Sequence, residues 1–335
     1  MPTLQDVAAD ADVSISTVSR VLNHPEMVEP TTRARVRTSI AELGYRPNRA
    51  ARRLGITEGR THLLGVVIPD IENPFYSTII RAVEEVAYSR DYAVILCNSG
   101  EDDERERFYL NVLQEESADG VILPPSTQGA RMKSDLKELD LPVVCFDRRL
   151  PGDPFDTVVV DNKAGARQMT RHLLDLGHRR IGFLGGPASL STSTERADGY
   201  REAVRTAGLP VDENLMVLGP PGRRTGRTHS QRLLQETSPP TALFAANNQI
   251  ALGTFEGLRD LGVQVPDDVA VAGFDDAPWA SFLDPPLTTV RQPTYEMGRR
   301  AAELLFSRID DPDRPPVRAT LQPECIIRAS CGADR

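Results

Sequence analysis

The stretch VSISTVSRVLN, Val13 to Asn23, has helical spacing but is built from serine, threonine and β-branched residues, all weak helix formers. Ser14 can cap a helix that starts at Ile15, and Val18, Val21 and Leu22 then fall at i, i+3 and i+4, a single buried stripe. The opposite side presents Ile15, Ser16, Ser19 and Arg20. Just upstream, Thr3-Leu4-Gln5-Asp6 sets an N-cap three residues ahead of an acid, so a first helix is expected from Leu4, with Val7 and Ala8 on its apolar side. Ala9-Asp10-Ala11-Asp12 is a short polar break. Two short helices joined by a tight turn, the second exposing small polar groups and one arginine, describe a helix-turn-helix.

That reading explains the composition. A helix laid in the major groove of DNA needs short side chains, so that its backbone can approach the base edges. Its hydroxyls can bond phosphates, and an arginine can make paired bonds to guanine O6 and N7. Helix propensity can be low because packing and DNA hold the segment in place. The plain alternative for this stretch alone is a surface helix with a serine-rich face.

A third helix is expected from Pro30, with Val36, Ile40 and Leu43 at helical spacing and Gly44 as its stop. Pro47 prevents its continuation, and Asn48 can cap a new helix that contains Ala50 to Leu54. About seven residues is too short to be stable in water, so this helix is expected to order only against a partner. Basic and ending in Leu54, it suits a minor groove, with the leucine as an apolar wedge. Residues 30–60 hold eight arginines against Glu42 and Glu58, while everything after residue 60 carries a net charge of −11. A small anion-binding unit on a large acidic body fits that asymmetry, although a solvated basic helix would show it too.

The run TLQDVAADADVSISTVSRVLN followed by ELGYRPNRAARRL resembles the DNA-binding head and hinge of the LacI/GalR family of bacterial transcription regulators. The resemblance implies that Ile15 and Ser16 occupy the specificity positions and Arg20 reads a base. Ser14, Thr17 and Ser19 would contact phosphates. Asn48, Ala51 and Leu54 belong to the hinge segment, with Ala51 and Leu54 entering the minor groove at the centre of a palindromic operator. Glu29 stands where the family usually has a small polar cap, which leaves the start of the third helix open.

From residue 61 onward short apolar runs alternate with helical stretches. Leu64–Ile68, Ala93–Cys97, Val121–Leu123 and Val143–Phe146 read as buried parallel strands, and Val158–Val160, Ile181–Leu184, Leu243–Ala246 and Val269–Phe274 continue the pattern. Helices are expected over 76–88, 104–116, 162–176, 194–207 and 249–261. Two successive α/β units of similar length imply two lobes, each a doubly wound sheet. Ligands in such sheets bind beyond the carboxyl ends of the strands. Asp147 and Arg148, Asn247 and Asn248, and Asp275 and Asp276 lie there. Phe75 falls in the loop after the first strand, and Arg196 starts the helix after Ile181–Leu184. Carboxylates, amides and arginine converging on a cleft suit a polyhydroxylated ligand, whose hydroxyls both donate and accept. Strand ends are polar in any protein, and Asp-Asp is often only a helix cap.

The segments DGVILPP, FDRRLPG, LGHRRIGFLGGP, PTALFAANNQIALG and VPDDVAVAGFDD also resemble the LacI/GalR core, which implies a periplasmic-binding-protein-like fold. Through that resemblance Phe75, Asp147, Arg196, Asn247 and Asp275 fall on effector positions, with Arg148 beside them. Two departures concern the effector: Pro221 stands where an aromatic often covers the ligand, and Asn248 replaces the usual aspartate.

The expected fold class is an all-α helix-turn-helix head (1–45), a hinge helix and linker (46–60), and a two-lobed α/β core. The core's N-terminal lobe spans 61–160 plus about 291–323, and its C-terminal lobe 161–290 plus about 324–335. Expected partners are palindromic operator DNA, a small sugar-like effector and a second copy of the chain. The final SCGADR shows no heptads, so a dimer is expected rather than a tetramer.

Composition is that of an ordinary globular protein, 40% hydrophobic and 26% charged. No run of eighteen apolar residues and no basic-then-apolar leader is present, so the expectation is cytoplasmic with no membrane association. Cys97, Cys145, Cys325 and Cys331 lack metal or disulfide spacing and read as reduced thiols. Gly182, Gly185 and Gly186 do not form G-x-G-x-x-G, His178 reads as structural, and no nucleophile signature stands out, so neither cofactor nor catalysis is expected. The remaining alternatives are a transported-solute-binding protein, a sugar hydrolase, and a nucleoside- or purine-responsive regulator of the same fold.

Overall fold

The computed structural model describes residues 2–45, 60–127, 129–152 and 154–333. These form two compact units, up to Thr61 and from His62 onward. Asn48, Ala51 and Leu54, and with them the hinge helix, lie outside the described residues.

The first unit holds α1 (Leu4–Asp10), α2 (Ile15–Asn23) and α3 (Pro30–Leu43). Thr3 closes a capping box on α1: its Oγ1 accepts from Asp6 N, and Asp6 Oδ2 accepts from Thr3 N at 2.7 Å. Ser14 caps α2 by accepting from Thr17 N at 3.1 Å. Val18 and Val21 meet Val7, Ala8, Ala11, Val36 and Tyr45 in one buried core, while Leu22 and Ile40 are only half-buried at its edge. α3 begins at Pro30, whose fixed φ suits the first helical position, and Glu29 makes no side-chain cap. Gly44 ends it with φ 61°, a left-handed conformation that glycine adopts without steric cost.

The second unit runs, in chain order, through β1 (Leu63–Ile68), α4 (Pro74–Tyr88), β2 (Ala93–Asn98), α5 (Asp103–Glu115), β3 (Gly120–Leu123), α6 (Ala130–Glu138), β4 (Val143–Phe146) and β5 (Asp156–Val160). It continues with α7 (Asn162–Asp175), β6 (Ile181–Gly185), α8 (Ser191–Thr206), β7 (Met216–Leu218), α9 (Arg223–Leu234), β8 (Ala242–Ala245), α10 (Asn248–Leu261) and β9 (Ala270–Phe274). β10 (Thr288–Arg291), α11 (Thr294–Asp310), β11 (Arg318–Leu321) and β12 (Glu324–Ile326) complete it.

Two six-stranded sheets result, in the orders β11-β5-β4-β3-β1-β2 and β12-β10-β9-β8-β6-β7, and β12 alone pairs antiparallel. The first five strands of each lobe therefore share one winding, second-first-third-fourth-fifth, whose direction reverses beside the lobe's first strand. Strand side chains alternate between two cores. Leu64, Val66 and Ile68 pack under α4 and α11, whereas Val67, Val121 and Leu123 pack under α5 and α6. In the second sheet Phe183, Phe244 and Phe274 face α7 and α8, and Leu184, Leu243 and Val271 face α9 and α10. The chain passes between lobes after Val160, Arg291 and Leu321.

Most expected strands and helices are present with ends moved by one to three residues. One expectation is corrected: β2 is parallel but not buried, since it forms the open edge of its sheet and leaves Leu96 39% exposed. No helix of the described residues is long and apolar enough to cross a membrane. All four cysteines are free thiols.

Candidate functional site

In the first unit, α2 presents the residues expected to face DNA. Ile15 is 45% exposed despite being apolar, and Ser16 and Arg20 are exposed beside it. Thr17 and Ser19 are half-buried. The Ser14 hydroxyl lies 2.8 Å from both Ser16 Oγ and Thr17 Oγ1, so three hydroxyls cluster at the helix N-terminus, where backbone N–H groups favour an anion. On α3, Arg37 is exposed, while Arg33 and Arg35 reach back to the Pro25 and Asp12 carbonyls at 3.4 Å.

In the second unit a cleft lies open between the lobes. All six residues expected at the effector site line it: Phe75, Asp147, Arg148, Arg196, Asn247 and Asp275. Their positions follow from topology, because the carboxyl ends of both sheets face this cleft. Asp147 directly follows β4, Asp275 directly follows β9, and Asn247 precedes α10.

The details differ from the sequence reading in three places. Phe75 is not in a loop but in the first turn of α4, which begins at Pro74 behind an Asn73 cap. Arg196 does not start its helix; α8 begins at Ser191, so the arginine lies in its second turn. Asn247 also serves as the cap of α10, its Oδ1 accepting from Ile250 N at 2.7 Å.

Charge in the cleft is held by a tight network. Arg148 donates both Nη atoms to Glu101 at 2.7 and 2.5 Å, and its Nε sits 3.7 Å from Asp147 Oδ2. Arg196 donates to Asn162 Oδ1 at 2.8 Å and to the Ala246 carbonyl at 2.6 Å, and it stacks 3.7 Å above the Phe274 ring. Gln292 Nε2 donates to Asp275 Oδ1 at 2.6 Å. Burial pushes the Asp147 carboxyl up to about 6, against the pull of Arg148 and Arg196. Burial also raises the Tyr76 hydroxyl well above its ordinary range.

Asn73, Tyr76, Glu101, Thr192, Ser193 and Gln292 line the same cavity and were not singled out from sequence. Asn73 Oδ1 caps Phe75 N at 3.1 Å and also accepts from Asn248 Nδ2 at 2.7 Å, a bond from one lobe to the other. The Asn-Pro pair at a helix start was a usable signal for Asn73. Gln292 follows β10, a four-residue strand that the sequence reading did not identify. Asp276 turns away from the cleft to Thr289, Arg291 and Arg328, and His178 Nδ1 lies 2.9 Å from Thr241 Oγ1. Among the described residues no group of three or more His, Cys, Asp or Glu side chains is placed to hold a metal ion.

Residues 3–48 match the model of bacterial regulatory proteins of the lacI family, and residues 170–331 match that of the periplasmic binding protein-like domain. The chain is 37% identical over 329 residues to the HTH-type transcriptional regulator RegA of Clostridium saccharobutylicum, covering 98% of both chains. It is 35% identical over 332 residues to the ribose operon repressor of Escherichia coli K12, covering 98% of this chain and all of that one. The solved complex of the transcriptional regulator CelR with cellobiose superposes with a TM-score of 0.75 at 35% identity, over 98% of this chain and 100% of that one. With a helix-turn-helix head, a two-lobed α/β core and these relatives, the chain belongs to the lacI family and is a DNA-binding transcriptional regulator.

Proposed function

We propose that this regulator represses genes of carbohydrate uptake or catabolism, and that a small sugar held between the lobes modulates its grip on a palindromic operator. The observation that carries the reading is the cleft itself, where Asp147, Asp275, the Asn247 amide and Arg196 converge around Phe75. Polar groups of both kinds beside aromatic rings match a polyol, whose hydroxyls donate and accept while its ring stacks. The names of two relatives, a ribose operon repressor and a cellobiose complex, support a sugar.

On the DNA side Ile15, Ser16 and Arg20 read bases, and Ser14, Thr17 and Ser19 hold phosphates. Asn48, Ala51 and Leu54 act in the hinge at the operator's centre. The chain works as a cytoplasmic homodimer without a cofactor, its two recognition helices in successive major grooves. The effector closes the N-terminal lobe onto the C-terminal lobe and separates the hinges. A coupling of about 1–3 kcal/mol between the two sites weakens DNA binding 5–150-fold.

The test is thermal melting of the full chain against sugars, sugar phosphates, nucleosides and purines. A ligand at a hundred times its dissociation constant adds about 2.7 kcal/mol, a visible shift. A shift confined to sugars, with a matching loss of operator binding in a gel-shift assay, is the expected result. A shift confined to nucleosides or purines overturns the sugar reading.

A further inference from the structure

The sugar site carries two arginines, and the end-on fork of Arg148 is closed to an anion, while its Nε, 3.7 Å from Asp147 Oδ2, has no hydrogen-bond partner. Arg148 is 5% exposed, and both of its terminal nitrogens are taken end-on by the Glu101 carboxylate, with the Pro125 carbonyl at 3.4 Å from one of them. Arg196, equally buried, spends Nε and Nη1 on Asn162 and Ala246 and lays its plane on Phe274. A phosphate is normally held by just such a planar pair of donors. The carboxylates of Asp70, Glu101, Asp147 and Asp275 meanwhile line the cavity against these two guanidiniums, a net charge of −2.

Glu101 is held in place by its backbone. It follows Gly100 at φ 71° with its own φ at 59°, a left-handed conformation that a glutamate seldom adopts. Its loop joins β2 to α5, so the carboxylate arrives from the sheet's edge strand and closes over an arginine placed by β4. A residue kept in an uncommon conformation at a binding site points to a role there.

We infer that Glu101 sets the charge class of the effector: by occupying the Arg148 fork it selects an uncharged sugar and rejects the phosphorylated form of the same sugar. This inference rests on the sugar reading of the cleft. Like-charge juxtaposition is an effective way to refuse a wrong ligand, because the refused group is desolvated with no partner. The regulator then senses sugar ahead of any kinase step, and phosphoryl transfer to that sugar would end the signal.

The experiment is calorimetric titration of the full chain with paired probes: ribose and ribose 5-phosphate, glucose and glucose 6-phosphate, cellobiose and cellobiose 6-phosphate. For the pair that binds, the free sugar is expected to bind at least about 100-fold more tightly, and Glu101→Gln to narrow that ratio by about 10-fold or more. Glutamine keeps the length of the side chain and removes its charge, and the melting temperature checks that the variant folds. A phosphorylated probe that binds the unaltered chain as tightly as its parent overturns the inference, whether or not the variant folds. An unchanged ratio in folded Glu101→Gln overturns the role of Glu101. If neither member of any pair binds while a nucleoside or purine does, the sugar reading itself has failed, a result distinct from the other two.

Discussion

Asp147 and Asp275 occupy the same position in the two lobes. Each directly follows the fourth strand of its lobe, each is left-handed, with φ of 59° and 72°, and each donates its N–H to the neighbouring strand, at Val158 O (2.9 Å) and Val290 O (2.8 Å). Both are 7% exposed and both line the cleft. The shared winding of the two sheets thus sets one carboxylate from each lobe on the same cleft.

This pairing makes a sharp prediction. Asp147→Asn and Asp275→Asn should each weaken effector binding at least tenfold in calorimetry, since each removes a charged acceptor. Asparagine tolerates the left-handed conformation, so both variants should fold. Operator affinity without effector should stay the same, giving a repressor whose release needs at least about tenfold more effector. Asp147→Val, with a β-branched side chain at positive φ, should instead lower stability as well.

Acid–base behaviour provides a second test. Glu106 is almost fully buried, accepts from Ser126 Oγ at 3.2 Å, and is pushed by that burial up to about 7 from an ordinary 4.5. A raised carboxyl means the folded chain holds its proton longer than the unfolded chain. The stability it contributes is therefore complete below about 4.5 and is lost as pH rises through 7, an effect on the order of 3 kcal/mol. Glu106→Gln should leave the urea midpoint nearly unchanged at pH 5 and raise it at pH 8. Asp147, raised to about 6, adds a ligand effect: effector affinity should fall as pH drops through 6 and the acceptor becomes protonated.

How far the sequence carried these conclusions depended on where the signal was local. The caps at Thr3 and Ser14 and the stripe of Val18 and Val21 are patterns within a few residues, and the structure reproduces them. Asp147, Asn247 and Asp275 were legible because a buried strand announces its own carboxyl end. Glu101 and Gln292 were not, since Glu101 lies three residues past the end of β2 in a loop and Gln292 follows a four-residue strand with little apolar character. α9, RRTGRTHSQRLL, escaped for another reason: it buries Thr225, Gly226 and Ser230, where an apolar stripe is normally sought.

That small-residue face of α9 leads to a third prediction. α9 and α10 approach so closely that a Cβ on Gly253 would stand 1.9 Å from the Arg223 carbonyl oxygen, and one on Gly226 would stand 2.0 Å from that of Ile250. Both obstacles are backbone, so the helices must move apart. On an exposed helix, alanine in place of glycine stabilises by about 1 kcal/mol. Here Gly253→Ala should destabilise by about 1–3 kcal/mol or more, and the reversed sign, read from thermal melting, separates helix contact from helix propensity.

The DNA side closes the set. Arg20 lies exposed on α2, beside Ile15 and Ser16, with a side chain long enough to reach a base edge. Arg20→Ala should cost about 1–3 kcal/mol of operator affinity and relax the preference at one operator position, the loss expected of a paired arginine–guanine contact. A residue that touches only phosphate behaves otherwise, weakening all sequences alike and lowering the salt slope by about one. Leu54→Ala should weaken binding to the specific operator while leaving effector affinity unchanged, as expected of a wedge whose whole work is at the operator's central step. Equal operator affinity in that variant would remove Leu54 from the minor groove, and an unchanged preference in Arg20→Ala would remove Arg20 from the bases.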